Sequence, residues 1–119
     1  MIHPEVREWL HEIRKTDRLT VALIGQAIQH VIDGRGQDEE RPLVDRIKSS
    51  RLHHLKELRP ASTGETEVRI LFIFDPARQM VLLVASDKSR NWRGWYEAAI
   101  PLAEARYTEH LAVLNDEDE

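Results

Sequence analysis

The chain has 119 residues, five glycines, five prolines and no cysteine, with a formal net charge of −4. That length suits one domain with one core and leaves no room for a second catalytic domain, while the missing cysteines exclude disulfides and thiolate metal sites. The acidic sum argues against strong non-specific nucleic-acid binding, but residues 41–96 carry 11 Lys and Arg against 6 Asp and Glu, a basic stretch between acidic ends.

The opening Met1-Ile2-His3-Pro4-Glu5 has no basic segment followed by an apolar run, so no secretory signal is read there. Pro4 suits a first helical turn, and Val6, Trp9, Leu10 and Ile13 then make one apolar stripe. Asp17 is a plausible cap for a second helix running to about Asp33 and stopped by Gly34. Leu19, Leu23, Ala27, Ile28, Val31 and Ile32 are expected to face inward from it, which makes the N-terminal third a helical hairpin. Residues 36–42 read as a polar loop, and 43–50 as one helical turn or irregular structure.

From there the period changes. Residues 52–59 could form a strand, and Glu67 to Asp75 (E-V-R-I-L-F-I-F-D) is β-branched and aromatic enough to be one. Asp75-Pro76-Ala77-Arg78 is turn chemistry, and Gln79 to Ala85 pairs back as an antiparallel hairpin. The apolar runs Ile70–Phe74 and Met80–Ala85 are too short to span a bilayer, so a cytoplasmic protein with no membrane partner is expected. Residues 86–101 are polar with three aromatics, and Pro101 is expected to open a last helix with Leu102, Ala103, Tyr107, Leu111 and Leu114 inward. Residues 1–114 then form one domain, and 115–119 an acidic, disordered tail. Helices first and adjacent strands afterwards make an α+β fold: an N-terminal helical hairpin packed on a small, mainly antiparallel twisted sheet, with a C-terminal helix.

Three groups of residues carry candidate chemistry. The segment R-L-H-H-L-K-E-L-R-P places Arg51, His53, His54, Lys56 and Arg59 on one short stretch. On a strand, His54 and Lys56 would share one face, and His53, Glu57 and Arg59 the other. A charged edge strand that deters aggregation has the same composition, and adjacent histidines on opposite faces do not make a zinc site. Arg69 interrupts a strand otherwise built for burial, so it either pairs with Glu57 or Glu67 or is a rigidly mounted cation for phosphate. In D-K-S-R-N-W-R-G-W-Y, Lys88, Arg90 and Arg93 alternate with Trp92, Trp95 and Tyr96, the mixture that single-stranded nucleic acid requires. One of the tryptophans is as readily a core plug, and Gly94 suggests a tight turn between the aromatics.

The blocks R-P-L-V-D-R-I-K-S-S-R-L-H-H-L-K-E-L-R-P, E-V-R-I-L-F-I-F-D-P-A-R-Q and V-L-L-V-A-S-D-K-S-R-N-W-R-G-W-Y, in this order, resemble the HigB-like, phage Gp49-related branch of the RelE/ParE toxin superfamily. The resemblance spans roughly Pro4 to Leu111. It implies a compact sheet backed by a helical hairpin, and a toxin of a type II toxin–antitoxin system that cleaves messenger RNA, free or on the ribosome, and so inhibits translation. It also implies a cognate antitoxin encoded nearby, usually a helix-turn-helix protein. Relatives usually carry a first strand ahead of the His-Pro-Glu-Val segment, where only Met1 and Ile2 stand here, so either the start lies too far downstream or the sheet loses an edge strand. By motif, the family's cationic strand residues fall on Lys56, Arg59 and Arg69, and its later positions on Lys88, Arg90 and Tyr96.

Metal-independent RNA cleavage uses the substrate's own 2′-hydroxyl, so no metal or other cofactor is called for. Arg69 and Arg59 would hold the scissile phosphate. His54 or Lys56 would serve as general base, and Lys88 or Tyr96 as acid. Arg51, His53, Arg90, Trp92 and Arg93 would bind the strand, with Trp92 stacking on a splayed base. Two alternatives share the fold: a ParE-like, non-enzymatic inhibitor of DNA gyrase, and an inactive relative that only binds its antitoxin.

Overall fold

The computed structural model describes residues 1–34, 43–89, 91 and 94–117. Helix α1 (Pro4–Arg14) starts where its proline stands at the first position and His3 Nδ1 accepts a hydrogen bond from Glu5 N–H. Val6 is its buried residue, and Trp9, Leu10 and Ile13 pack beside it. Helix α2 (Arg18–Asp33) is capped by Asp17, whose Oδ1 accepts from Thr20 N–H at 3.0 Å, and ends at Gly34. The other oxygen of Asp17 accepts from both Thr20 Oγ1 and Thr63 Oγ1 at 2.6 Å. One carboxylate thus caps the helix and pins the loop that leads into the sheet.

The buried stripe of α2 is Thr20, Ile24, Ala27 and Val31. Leu19 and Ile32, expected inward, are exposed. A step of one residue is 100° of rotation, so a stripe centred on Ile24 and Ala27 leaves both on its outer flank.

Four antiparallel strands follow in the order of the chain: β1 (Val44–Arg46), β2 (Lys56–Leu58), β3 (Val68–Phe74) and β4 (Met80–Asp87). The stretch 43–50, open between helix and irregular structure, therefore contains a short edge strand. Of residues 52–59, only Lys56–Leu58 are strand. At the far edge, Ile2 bridges Leu82 in parallel, with His3 N–H donating to the Leu82 carbonyl and Leu82 N–H to that of Met1. Those few residues cover part of the edge of β4.

The sheet is buried on both faces. Val44, Leu58, Ile70, Phe72, Met80 and Leu82 meet the helical hairpin. Leu71, Ile73, Val81, Leu83 and Val84 meet α3 (Trp95–Glu117) through Trp95, Ala99, Ala103 and Tyr107. The result is an α+β fold of three layers. Strict alternation would put Leu83 and Val84 on opposite faces, yet both pack toward α3. A bulge explains it: Leu71 pairs with Val84 and Phe72 with Leu82, leaving Leu83 without a partner across the ladder.

The carbonyl of Leu83 accepts a 2.7 Å bond from Arg106 Nη1, and the same buried guanidinium holds Glu5 of α1 through Nη2. Arg106 thereby ties α3 to β4 and to α1. Arg106→Met should leave that carbonyl unsatisfied and lower the free energy of unfolding by about 1–3 kcal/mol in a urea titration. An unchanged midpoint would mean that another donor serves the carbonyl.

Helix α3 begins at Trp95, six residues before the expected start, so Pro101 lies inside it. Its missing N–H leaves only the Glu97 carbonyl without its helical donor, a loss that the packing of Trp95 and Ala99 on the sheet outweighs. Leu102, expected inward, is exposed; Ala103 and Tyr107 are buried as expected. The helix continues through Asn115 to Glu117. No described helix is long and apolar enough to cross a membrane.

The β3–β4 turn is built around Asp75. Its Oδ1 accepts from Gln79 N–H at 2.8 Å, its Oδ2 lies 2.8 Å from His110 Nε2 on α3, and Arg78 takes a positive φ of 62° to close the loop. Burial pushes the carboxyl up, but the hydrogen bonds from His110 and Gln79 outweigh it and hold Asp75 below its ordinary value. A depressed folded value contributes stability that is present above the unfolded pKa and lost as pH falls through the folded one. Asp75→Asn should therefore reduce the gap in melting temperature between neutral pH and about pH 3. A gap as large as in the wild type would exclude Asp75 from the acid limb.

Candidate functional site

Strand alternation decides which of the basic residues meet. Glu57 pairs in register with Leu71 and with Asp45, and so faces α3, whereas Lys56 pairs with Phe72 and faces the helical hairpin. Two residues on, Arg59 returns to the α3 face beside Arg69, whose partner across the next ladder is Ser86. Past the end of β4, Lys88 N–H donates to the Glu67 carbonyl, which holds Lys88 at the same end of the sheet. Tyr96 comes from the first turn of α3.

The side chains form two bonded groups that lie within electrostatic reach of each other. Arg59 donates from Nε to Glu57 Oε1 at 2.7 Å and from Nη2 to Asp45 Oδ2 at 3.0 Å. Arg69 Nε lies 3.8 Å from the same Glu57 oxygen, and its Nη1 donates to the carbonyl of Val68 at 2.7 Å. The Glu57 side chain is 1% exposed, against 18% for Arg69 and 32% for Arg59. Among the described residues, neither Glu57 Oε2 nor Arg69 Nε has a hydrogen-bond partner. Lys88 Nζ donates to the Tyr96 hydroxyl at 3.2 Å and sits 5.0 Å from the centre of the Tyr96 ring. Trp95 crosses Tyr96 edge to face at 4.9 Å and donates from its indole to Ser86 Oγ.

The cluster perturbs its own members. Burial and the adjacent Arg69 lower the pKa of Lys88, against the pull of Glu57 and Glu67. Burial and the nearby Glu57 carboxylate push the Tyr96 hydroxyl up to about 12, although no hydrogen bond of ordinary geometry joins the two, and Arg59 and Arg69 oppose the rise. The hydrogen bond to Glu57 raises the pKa of Arg59. At neutral pH the Tyr96 hydroxyl therefore keeps its proton, and Lys88 is a better proton donor than an ordinary lysine. This is electrostatic and proton-donating chemistry for an anionic group. Among the described residues, no three His, Cys, Asp or Glu side chains converge as metal ligands would.

Of the residues expected to act together, the structure assembles Arg59, Arg69, Lys88 and Tyr96. It sets the others apart. His53 and His54 lie exposed in the turn before β2, on no strand face, because the strand starts at Lys56. Lys56 lies on the opposite face of the sheet from Arg59 and Arg69. Arg51 is drawn to α3, its N–H donating to Glu104 Oε2 at 2.9 Å and its Nε 3.6 Å from Oε1. Glu104 is eight residues beyond Tyr96, about 12 Å along the helix. Arg90, Trp92 and Arg93 lie outside the described residues. Trp95 is the core plug, buried against β4.

Two members were missing from the expected site. Glu57 and Asp45 are the carboxylates laced between the cations, and sequence reading placed Glu57 only as an ion-pair partner of Arg69. The i, i+2 spacing of Glu57 and Arg59 on one strand face was the available signal. A groove of about 350 Å³ between α1, β4 and α3, lined by Trp9, Ser86, Trp95 and Leu102, is touched by none of the cluster's cations.

The fold and the site define an α+β domain that gathers paired guanidiniums, a buried lysine and a tyrosine at one end of its sheet. The chain belongs to the phage derived protein Gp49-like family, whose profile matches residues 9–108 and so includes every member of the cluster. It is 43% identical over 111 residues to a Mycobacterium tuberculosis protein named "Putative toxin HigB2", across 93% of this chain and 53% of that one. It is 41% identical over 109 residues to "Putative toxin HigB3" of the same organism, across 92% and 90% of the two chains. The chain thus spans about half the length of the first of these relatives and nearly all of the second. No solved structure matches it significantly.

Proposed function

We propose that this chain is the toxin of a type II toxin–antitoxin system and acts as a metal-independent endoribonuclease on messenger RNA, free or ribosome-bound, in the cytoplasm. The observation that carries the reading is the convergence of Arg59, Arg69, Lys88 and Tyr96 at one end of the sheet. The likeness to two proteins named as toxins supports the toxin role and, with it, a cognate antitoxin; a helix-turn-helix protein is the antitoxin proposed.

In the proposed reaction the 2′-oxygen attacks phosphorus and the bond to the 5′-oxygen breaks. The products are a 2′,3′-cyclic phosphate and a free 5′-hydroxyl. Arg69, the guanidinium less engaged by carboxylates, contacts the scissile phosphate and stabilises the charge that develops on it. Arg59, held between Glu57 and Asp45, supports it from behind. Lys88 passes its proton to the departing 5′-oxygen, and Tyr96 holds the lysine in place by hydrogen bond and ring face. The 2′-hydroxyl proton goes to water, since His54, the base that the sequence suggested, lies apart in the exposed turn before β2. Arg51, His53, Arg90, Trp92 and Arg93 are retained as contacts to the flanking strand, and Lys56 as a second contact from the other face.

The test is induced expression without the neighbouring gene, with growth followed and transcript ends mapped. Growth arrest with new 5′ ends, both absent for Arg69→Ala, is the expected result. Arrest with intact RNA that persists in Arg69→Ala would replace this reading with a protein target such as gyrase. Normal growth under the wild-type protein would point to a chain that only binds its antitoxin.

A further inference from the structure

We propose that Glu57 is the positioning residue of this cluster: its buried carboxylate sets Arg59 and Arg69 side by side and holds them at the sheet's end. The inference rests on the proposed phosphate-handling role of that cluster, and it adds a group that never touches RNA. Four observations carry it. The Glu57 side chain is 1% exposed, so it cannot contact a substrate. One of its oxygens serves both guanidiniums, at 2.7 Å from Arg59 Nε and 3.8 Å from Arg69 Nε. Asp45 takes a second edge of Arg59 at 3.0 Å, which fixes the plane of that guanidinium as well as its position. Finally, Glu57 Oε2 and Arg69 Nε are buried without hydrogen-bond partners among the described residues. Orphaned polar atoms of opposite charge, enclosed together, are more than a stabilising ion pair needs, since an apolar pair of similar volume is often at least as stable there.

The arrangement has a chemical consequence. Two arginines side by side repel, and a carboxylate shared by their Nε atoms lets the two guanidiniums lie close without spreading apart. The same negative charge faces the Tyr96 hydroxyl and keeps it protonated, so the partner of Lys88 stays a neutral phenol. With Glu57 neutralised, the guanidiniums lose their common anchor and Tyr96 ionises more readily.

The experiment compares wild type with Glu57→Gln, which keeps the shape and removes the charge, both in a Tyr107→Phe background so that Tyr96 is the one tyrosine. Nuclear magnetic resonance of the tyrosine ζ-carbon is followed from about pH 9 to about pH 11. The Tyr96 signal should begin to titrate at lower pH in Glu57→Gln than in the wild type, with the part of the rise that burial causes retained in both. Cleavage of a short RNA should lose roughly a hundredfold in kcat with little change in KM, the pattern of misplaced groups rather than lost binding. Should Glu57→Gln not fold, the wild-type Nε–H signals of Arg59 and Arg69 decide, and sharp, slowly exchanging signals are expected. Fast-exchanging, averaged signals would overturn the proposal, as would a folded Glu57→Gln whose Tyr96 titrates as in the wild type. A wild-type protein that cleaves no RNA would overturn the RNase reading alone, and the resonance measurements would still judge Glu57.

Discussion

Replacing Arg69 with alanine is expected to lower RNA cleavage by about 10²–10³-fold, the usual loss when one preorganised donor to a developing oxyanion is removed. The side chain stands near the start of β3, an inner strand between β2 and β4, and its Nη1 is tethered to the Val68 carbonyl. Ordering it for phosphate binding thus needs little further loss of freedom. The fold should survive, because Glu57 keeps its 2.7 Å bond to Arg59, and the Arg69–Glu57 contact given up is the longer, 3.8 Å one. Arg69→Lys restores the charge without the planar fork and should recover only part of the rate. Single-turnover cleavage of a defined RNA, read beside a thermal melt, separates the two effects. Cleavage at the wild-type rate by a folded Arg69→Ala would remove this residue from the reaction, whatever the rest of the cluster does.

The largest loss of stability is expected at Phe72. Its side chain is fully buried where β3 meets the helical hairpin, it meets Phe74 edge to face with centroids 6.1 Å apart, and it lies at the register shift between β3 and β4. Phe72→Ala removes most of an aromatic ring from a site that backbone on both sides keeps from collapsing, which costs about 3–5 kcal/mol. A domain of this size is stable by roughly 6–18 kcal/mol, so the variant would lose a large fraction of the total. Urea denaturation followed by circular dichroism measures it. A loss below about 1 kcal/mol would mean that the hairpin does not seat on this ring as described.

The parts of the fold legible in the sequence are those that local chemistry specifies. Pro4, Asp17 and Gly34 bound the two helices because caps act within one turn. The apolar runs around Ile70 and Val81 had to be strands buried on both faces, and the Asp75-Pro76 turn had to join them. What was misjudged depended on partners far away in sequence. Leu102 and the start of α3 could not be placed without knowing that Trp95 docks against β4. The bulge at Leu83 is invisible until register is set, and it decides which face Leu83 and Val84 occupy. Strand β1 is three residues long and is held by pairing with β2 rather than by its own propensity.

The candidate site divides in the same way. The residue types were legible: an arginine inside an apolar strand, a basic run ahead of it, and cations among aromatics behind it. Their grouping was not. Lys56 and Arg59 look equivalent in L-K-E-L-R, but an odd spacing of three on a strand sends them to opposite faces. The run of 52–59 assigns His53 and His54 to that strand, yet the chain is still turning there, tied to α3 through Ser50 and Arg51 on Glu104. By itself, then, the sequence determined the class of fold, the two-sided burial of the central strands and the family, since these rest on periodicity, caps and an ordered set of motifs. Only the tertiary structure decided that Glu57 lies among the arginines and that Lys88 meets Tyr96. Strand pairing and the docking of α3 bring these residues together across separations of up to 39 positions in the chain, from Glu57 to Tyr96.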